Sequence, residues 1–308
     1  MTTKPESPTD TGLWRNLSYA EYDALAGMRK SRLWTLNERT PAHWQYELAY
    51  PEERDSAAMQ RGRALHVAVL EPAAFDKLYW PEPDPPEGGW NKRLKAHREA
   101  WAAVEADATA QGAVLLGTGE RDKCLAMRDA VRAHPAAAEL LAACEVEVSM
   151  QWVDAETGML LKGRMDGWFE RGGVLFDLKS CENAAPGPFG RQAYRYGYHF
   201  QSAIYWDGAK AASECEVNQV VLVAVESSLP YCVACYEVEE QEIGLGRDQY
   251  RSILRAVAAC RKANRWPGYN PGLMPLVLPG YAGQEFVGYD LAEIEGNATG
   301  DDGNVLPL

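Results

Sequence analysis

The sequence predicts an α/β fold, in which a mixed central sheet is flanked by helices and preceded by a helical addition. Three observations predict it. Apolar residues within 18–143 recur mainly at helical spacing, whereas from Val146 onward they alternate with period two. An amphipathic helix then precedes two further apolar runs at 217–226 and 230–238. A last helix at 239–264 completes the order of helices, three strands, helix, two strands and helix.

The helical part is divided by its prolines, glycines and polar runs. The predicted segments are a disordered N-terminus at 1–17, two short helices within 18–44 that end before Pro41, a helix at 57–71, a loop at 79–90, and helices at 91–110 and 119–143. Within the helix at 57–71, Gly62 and His66 are four residues apart and share one face. Glycine there lets another backbone approach while the imidazole extends past it, although a lone helical histidine is more often a packing residue.

The sheet part contains two predicted hairpins. A strand from Val146 turns at Glu156-Thr157-Gly158, and the segment 159–180 forms a second hairpin around Glu170-Arg171-Gly172-Gly173. Because alternate side chains of a strand share a face, Arg164 lies on the same face as Asp166, and Asp177 on the same face as Lys179.

Pairing of the second hairpin would bring Asp166 close to Asp177. Two carboxylates so placed repel each other unless a cation lies between them, which predicts a hard divalent metal with Lys179 beside it. The alternative is a solvated surface pair, which an Asp-x-Lys at a strand end often forms. Glu145 and Glu147 enter the preceding strand on one face, so either is a candidate for a further acidic group.

A long helix is predicted from about Arg191 to Ala212. Four polar aromatic or amide side chains recur on it at intervals of four, three and four, namely Tyr194, Tyr198, Gln201 and Tyr205. Such a stripe is either core or the lining of a polar groove, and the sequence favours neither.

Composition excludes several classes of protein. The 308-residue chain is 46% hydrophobic and 24% charged, contains no apolar run long enough to span a bilayer, and begins with a polar segment, so a cytoplasmic location is expected. A net charge of −13 argues against broad coating of nucleic acid. Six of the acidic residues lie in the Pro/Gly-rich segment 266–308, which has no Lys or Arg, so a local basic groove elsewhere stays possible.

The seven cysteines are scattered and predict buried thiols. Cys232 and Cys235 have CxxC spacing, but in a strand their side chains would face opposite ways, and no second pair completes a zinc set. No Ser-His-Asp arrangement, phosphate-binding glycine loop or dinucleotide fingerprint competes with the acidic hairpin.

The ordered set of motifs GxxxH (62–66), GRMD (163–166), DLK (177–179) and QxxxY (201–205) resembles the PD-(D/E)xK nuclease superfamily. Within it, the chain is similar to the RecE-type branch, the exonuclease VIII family of phages and prophages. The resemblance covers roughly residues 18–240 and implies a restriction-endonuclease-like core at 18–265, divided into the helical part 18–143 and the sheet core 144–265.

The resemblance also implies roles for individual residues. Asp166 and Asp177 would bind Mg²⁺, or Mn²⁺ as a substitute, together with His66, the carbonyl of Leu178 and Glu147. Lys179 would orient the attacking water, while Gln201 and Tyr205 would face the site. The candidates for DNA contact are Arg61, Arg63, Arg164, Arg191, Arg195 and Tyr198.

The implied function is a Mg²⁺-dependent 5′-to-3′ exonuclease on linear duplex DNA, which leaves 3′ single strands for recombination. The implied partners are duplex ends, a RecT-like single-strand annealing protein and further copies of the chain, with a ring as one arrangement. The alternatives are an endonuclease, a Cas4-like enzyme, for which the cysteines are poorly placed, and a catalytically silent module that binds DNA ends.

Overall fold

The computed structural model describes residues 5, 7, 9–50, 56–83, 86, 89–91, 93–117, 119–213, 215–269, 272–273 and 275–277. The chain forms two compact units, Met1–Pro267 and Gly268–Leu308. Most of the second unit, and with it most of the predicted acidic segment 266–308, lies outside the described residues.

The helices and strands of the first unit are numbered in chain order. The helices are α1 (Tyr19–Ala24), α2 (Lys30–Glu38), α3 (Pro41–Ala49), α4 (Ala57–Leu70), α5 (Pro72–Leu78), α6 (Lys95–Ala110), α7 (Glu120–Ala133), α8 (Pro135–Ala143), α9 (Pro186–Arg195), α10 (Tyr198–Ser213) and α11 (Glu240–Ala263). The strands are β1 (Gly12–Trp14), β2 (Tyr79–Pro81), β3 (Val114–Leu116), β4 (Glu145–Val153), β5 (Leu160–Phe169), β6 (Val174–Cys181), β7 (Gln219–Glu226) and β8 (Val233–Glu237).

Six of the strands form one sheet in the order β1-β4-β5-β6-β7-β8. The pair β6–β7 is parallel and its neighbouring pairs are antiparallel, so the prediction of a mixed sheet is confirmed. Both predicted hairpins form, β4–β5 and β5–β6. A parallel connection needs a long crossover, and here α9 and α10 provide it.

Apolar clusters cover both faces of the sheet. One contains Met150, Met165 and Trp168 with residues of α10 and α11. The other contains Phe176 and Leu178 with residues of α4, α5 and α7. The sheet is therefore a central layer between helices, as the sequence predicts.

The N-terminal region is more ordered than predicted. Gly12–Trp14 forms the edge strand β1 on β4, so the expectation of disorder across 1–17 is wrong at these residues. The segment 18–44 belongs to three helices rather than two, because Pro41 occupies the first turn of α3 instead of only ending α2.

Proline and glycine explain the other corrections. Part of the predicted loop at 79–90 is β2, which pairs with β3. The predicted helix at 119–143 is two helices, since Pro135 begins α8. The predicted helix from Arg191 to Ala212 is divided between α9 and α10 at Gly197, whose φ of +64° is left-handed. A Cβ at this glycine would lie 2.5 Å from the Trp34 ring, so this position requires glycine for space as well as for conformation.

Candidate active site

The candidate site lies where β5 and β6 separate. Their ladder ends at the pair Gly167 and Phe176. The next residues in the same register are Asp166 and Asp177, which face each other across unpaired positions. Like charges placed opposite each other destabilise a ladder, so the strands open at the point where the sequence places two acids.

Asp166 is held on the side of this opening that faces α4. Its Oδ2 accepts a hydrogen bond of 2.6 Å from the amide of Leu178, and its Oδ1 lies 3.2 Å from Nδ1 of His66. Burial opposes the charge of Asp166, but the imidazole of His66 and the ammonium of Lys179 hold its pKa below the usual value. Burial likewise opposes the charge of His66, yet Asp166 raises the pKa of the imidazole to about 9.

These contacts decide between the two interpretations of His66. The imidazole is directed at a buried carboxylate, so it is part of the site rather than a packing residue. The expected approach of another backbone at Gly62 is not seen, because a Cβ added there would meet nothing within 4 Å.

Asp177 is held by groups from its own strand and from α10. Lys179 forms a close ion pair with its Oδ2, and the amide of Gln201 donates a hydrogen bond of 2.9 Å to its Oδ1. Nζ of Lys179 also lies 3.4 Å from Oε1 of Gln201. Burial and the charge of Asp166 raise the pKa of Asp177 despite the nearby lysine. Only 6% of Asp177 is exposed, so the alternative of a solvated Asp-x-Lys surface pair is wrong.

Glu147 reaches the same opening from β4. By the register of β4 and β5 it lies opposite Asp166, and its φ of +55° is unusual for a residue other than glycine. The left-handed turn reverses the alternation of the strand, since Val146 packs on one face and Val148 on the other. Burial, followed by the charge of Asp166, raises the pKa of Glu147, although Arg164 forms a close ion pair with its carboxylate.

One set of donors in this opening fits a divalent metal. Among the described residues, one ligand atom each of His66, Glu147 and Asp166 lies within 4.8 Å of the others. Two carboxylates and one imidazole suit Mg²⁺ or Mn²⁺ better than a thiolate-binding metal. The other acidic candidate of β4, Glu145, pairs instead with Arg15.

Asp177 is not in that set, and its carboxylate contacts Lys179 and Gln201. The carbonyl of Leu178 stays a predicted ligand. In a strand the amide and carbonyl of one residue point to the same edge, and the amide of Leu178 points to Asp166. The carbonyl therefore faces the opening as well.

The polar stripe of α10 lines the site, but one member of the prediction does not belong to it. Gln201 contacts Asp177, and the ring centroid of Tyr198 lies 4.9 Å from Nζ of Lys179. Tyr205 packs against the backbone of Gly163, and burial raises its pKa well above the usual value. Tyr194 lies on α9 beyond the break at Gly197, so it is not part of this stripe.

The arginines predicted to contact DNA occupy two kinds of environment. Arg61 and Arg164 form ion pairs with Glu120 and Glu147. Arg191 and Arg195 are exposed on α9, while Arg63 is exposed on α4. DNA contact by all five stays a prediction.

Sequence reasoning missed Lys30. This residue begins α2, and its Nζ donates a hydrogen bond to the carbonyl of Tyr196 at the break between α9 and α10. Burial, followed by the charge of Lys179, lowers the pKa of Lys30 to about 8, and Asp177 acts in the opposite direction. A second ammonium therefore lies near the DLK motif. The only signal for Lys30 in the sequence is the basic pair Arg29-Lys30. This pair has no fixed spacing to the DLK motif, so the sequence does not indicate that Lys30 lies near the site.

The mixed sheet, with acids and a lysine at its opened hairpin, defines a PD-(D/E)xK nuclease fold. A family profile described as a PDDEXK-like domain of unknown function (DUF3799) matches residues 31–272. The chain belongs to this PDDEXK-like family. Comparison with curated proteins finds no match.

One solved structure supports the fold. A candidate exonuclease from Eubacterium rectale aligns over 93% of this chain and 99% of its own, with 12% identity and a TM-score of 0.55. A phage-related exonuclease from Haemophilus somnus aligns over 78% of this chain and 96% of its own, with 9% identity and a TM-score of 0.29. At 12% identity, the first of these structures shows a shared fold and nothing more. The second, with its lower TM-score, supports no conclusion.

Among the described residues, no helix is long and apolar enough to cross a membrane.

Proposed function

We propose that this protein is a metal-dependent DNA exonuclease that hydrolyses one strand of a linear duplex from its 5′ end. One observation carries the proposal. Asp166, Asp177 and Lys179 meet where β5 and β6 open, with His66 and Glu147 beside them. Family membership supports a nuclease. The direction of digestion and the preference for duplex ends rest on the resemblance to the RecE-type branch.

Hydrolysis of a phosphodiester needs a nucleophilic hydroxide, compensation of charge on the non-bridging oxygens and help for the leaving oxygen. A bound divalent ion such as Mg²⁺, or Mn²⁺ in its place, supplies these effects. His66, Glu147 and Asp166 would hold this ion, with Asp177 and the carbonyl of Leu178 as further candidate donors.

Lys179 has a separate role from the metal-binding residues. Asp177 keeps its ammonium charged, since the pKa of Lys179 lies above the usual value even though burial lowers it. A charged ammonium beside the acids orients the attacking water and offsets the charge that grows on the phosphate. Gln201 fixes the position of this ammonium through its contacts with Lys179 and Asp177.

The acidic chain must bind DNA through a local surface. Arg191 and Arg195 project from α9, next to the helix whose residues contact the DLK motif. Phosphate contacts by such arginines supply affinity independent of base sequence. A ring of several copies would place these arginines on an inner channel and leave the acidic surfaces outside. The proposed partner for the 3′ strand is a single-strand annealing protein.

The test is digestion of linear duplex labelled at its 5′ or 3′ ends, with and without Mg²⁺. A covalently closed circle and the variant Asp177→Asn serve as controls. The proposal predicts Mg²⁺-dependent loss of the 5′ label from linear DNA only, and none with the variant. Cleavage of the circle would identify an endonuclease instead. Binding of ends without any cleavage would identify the silent module.

A further inference from the structure

The turn that joins α9 to α10 presents two exposed tyrosines beside the candidate active site. Tyr194 is 65% exposed and Tyr196 is 49% exposed. Neither contributes to the apolar clusters of the core among the described residues. We call the segment 191–198 the α9–α10 elbow.

The elbow has a fixed conformation. Gly197 adopts a left-handed φ of +64° and packs against the ring of Trp34, where any side chain would clash. The amide of Gly197 donates a hydrogen bond of 3.1 Å to the carbonyl of Tyr194. Lys30 donates to the carbonyl of Tyr196 from α2. The backbone that carries both tyrosines is therefore ordered before any ligand binds.

One face of Tyr194 is covered and the other is open. Its ring stacks on the ring of His199 with centroids 5.6 Å apart and an interplanar angle of 10°. His199 is itself buried and bonded through Nε2 to Gln249 at 2.9 Å. A ring that lies flat on a fixed partner and is still 65% exposed must expose its outer face.

Tyr196 connects the elbow to the reaction centre. Its ring stacks on that of Tyr198, with centroids 6.1 Å apart and an interplanar angle of 29°. Tyr198 in turn lies against Nζ of Lys179, 4.9 Å from its ring centroid. The guanidinium of Arg195 lies 5.7 Å from the Tyr196 ring centroid. The arrangement is thus a short row of rings that begins at the proposed catalytic lysine and ends in solvent.

The geometry points to a stacking site for unpaired bases of DNA next to the cleaved phosphate. This inference deepens the proposed function and rests on it. Proteins that bind single strands combine basic groups along the backbone with aromatic rings on which bases stack. The elbow offers both, because Arg191 precedes Tyr194 by one helical turn and Arg195 lies between the two tyrosines in sequence.

A stacking site also has a use in this reaction. A terminal nucleotide must leave its duplex partner before its phosphate reaches a site buried between two strands. Unpairing costs free energy, and a ring that receives the freed base offsets part of this cost. Fixed rings lose little conformational entropy on binding, which favours the elbow over a mobile side chain.

The test measures binding by the full-length protein in EDTA, so that no cleavage occurs. Three fluorescein-labelled DNAs are compared: a blunt duplex, the same duplex with a single-stranded tail of bases, and one with an abasic tail of equal length and charge. The variants are Tyr194→Ala and Tyr196→Ala, with Tyr194→Trp and Tyr196→Phe as conservative replacements. Tyr46→Ala is the matched control, because Tyr46 of α3 is about as exposed as Tyr194 and its ring lies against that of Tyr50, with centroids 4.9 Å apart at a tilt of 37°.

Each alanine variant is expected to bind the base-containing tail about 5- to 100-fold more weakly, as removal of one stacking ring does elsewhere. Binding of the abasic tail and the blunt duplex should change little, and the conservative replacements should restore affinity. A 2-aminopurine in the tail should lose fluorescence on binding to the wild type but not to the alanine variants.

Three results would overturn the inference. They are no loss of affinity, an equal loss for the base-containing and abasic tails, and a change of oligomeric state that assigns the tyrosines to a contact between copies. The melting temperature of each variant verifies that it is folded. These binding measurements need no turnover, so their outcome is independent of the digestion assay. If the protein bound tails through their bases but never cleaved DNA, the proposed function would be refuted and the stacking site would stand.

Discussion

Asp166 and Asp177 occupy facing positions in the register of β5 and β6, one step beyond the last paired residues of the two strands. One carboxylate contacts His66 from α4, and the other contacts Gln201 from α10. The site is therefore assembled from both helical layers through an opening in the sheet. The two acids also differ electrostatically, because the pKa of Asp166 lies below the usual value and that of Asp177 above it.

This difference predicts opposite effects of two similar substitutions on stability. A carboxylate with a lowered pKa stabilises the folded state when charged, whereas one with a raised pKa destabilises it. Without metal at neutral pH, Asp166→Asn should therefore lower the melting temperature and Asp177→Asn should leave it unchanged or raise it. Both substitutions should reduce cleavage more than about 100-fold. Loss of a residue that only supports a metal ligand costs up to about 100-fold, and a residue that itself binds the metal or the water should cost more. Thermal scans in EDTA and digestion of linear DNA test the two effects, and a lower melting temperature for Asp177→Asn would contradict the assignment.

Lys179 should affect turnover more than metal binding. Its ammonium contacts Asp177 and Gln201 and is absent from the set of donors that fits a metal. We expect Lys179→Gln to lower kcat by about 100- to 1,000-fold, which is typical for removal of one group that stabilises developing charge. The rise in melting temperature on addition of Mg²⁺ should persist. Loss of that rise, with kcat restored at high Mg²⁺, would instead show that the lysine serves metal affinity.

Sequence reasoning predicted the five strands β4 to β8, which have a clear local pattern, and it proposed the site residues from the same pattern. Period two identified the hairpin β5–β6, and the spacing of Asp166, Asp177 and Lys179 indicated the site. It failed where long-range contacts decide the conformation. Gly197 is compatible with a helix in isolation, and its left-handed form depends on Trp34 in another helix. The position of Lys30 beside the site likewise depends on how α2 packs against the elbow.

Arg164 should act on metal affinity through Glu147. The sequence predicts that Arg164 contacts DNA. In the structure, however, the guanidinium of Arg164 forms a close ion pair with Glu147 and is largely buried. Removal of this partner further favours protonation of a carboxylate whose pKa is already raised. We expect Arg164→Gln to increase the Mg²⁺ concentration for half-maximal activity about 10- to 100-fold.

The control for this variant is Arg191→Gln, at an exposed arginine of α9. This substitution should weaken DNA binding without changing the Mg²⁺ requirement. If Arg164→Gln instead weakened DNA binding in EDTA and left the Mg²⁺ requirement unchanged, the original prediction that Arg164 contacts DNA directly would be correct.

The pH dependence of stability should contain a contribution from Asp207, a residue of α10 away from the opening. Arg247 of α11 donates hydrogen bonds of 3.0 and 3.1 Å from Nε and 2.8 Å from Nη2 to its carboxylate, Arg251 adds one of 3.2 Å, and Tyr250 makes a close contact. Burial opposes the charge, but these donors, Arg247 first, hold the pKa of Asp207 below its usual value. The carboxylate thus stabilises the packing of α10 on α11 while it is charged.

For an acid with a lowered pKa, the stabilisation is present above the unfolded pKa of about 3.9 and is lost as the pH falls through the lower folded pKa. At pH 7, Asp207→Asn should lower the free energy of unfolding by about 1–2 kcal/mol, as expected for charge-assisted hydrogen bonds in a partly exposed site. The difference from wild type should be constant between about pH 5 and pH 7 and shrink as the pH drops below about 4. Denaturant unfolding at a series of pH values measures it, with the exposed Asp248→Asn as control. If the difference in free energy of unfolding stayed constant below about pH 4, the substitution would destabilise the protein by disturbing packing and not by removing a charge.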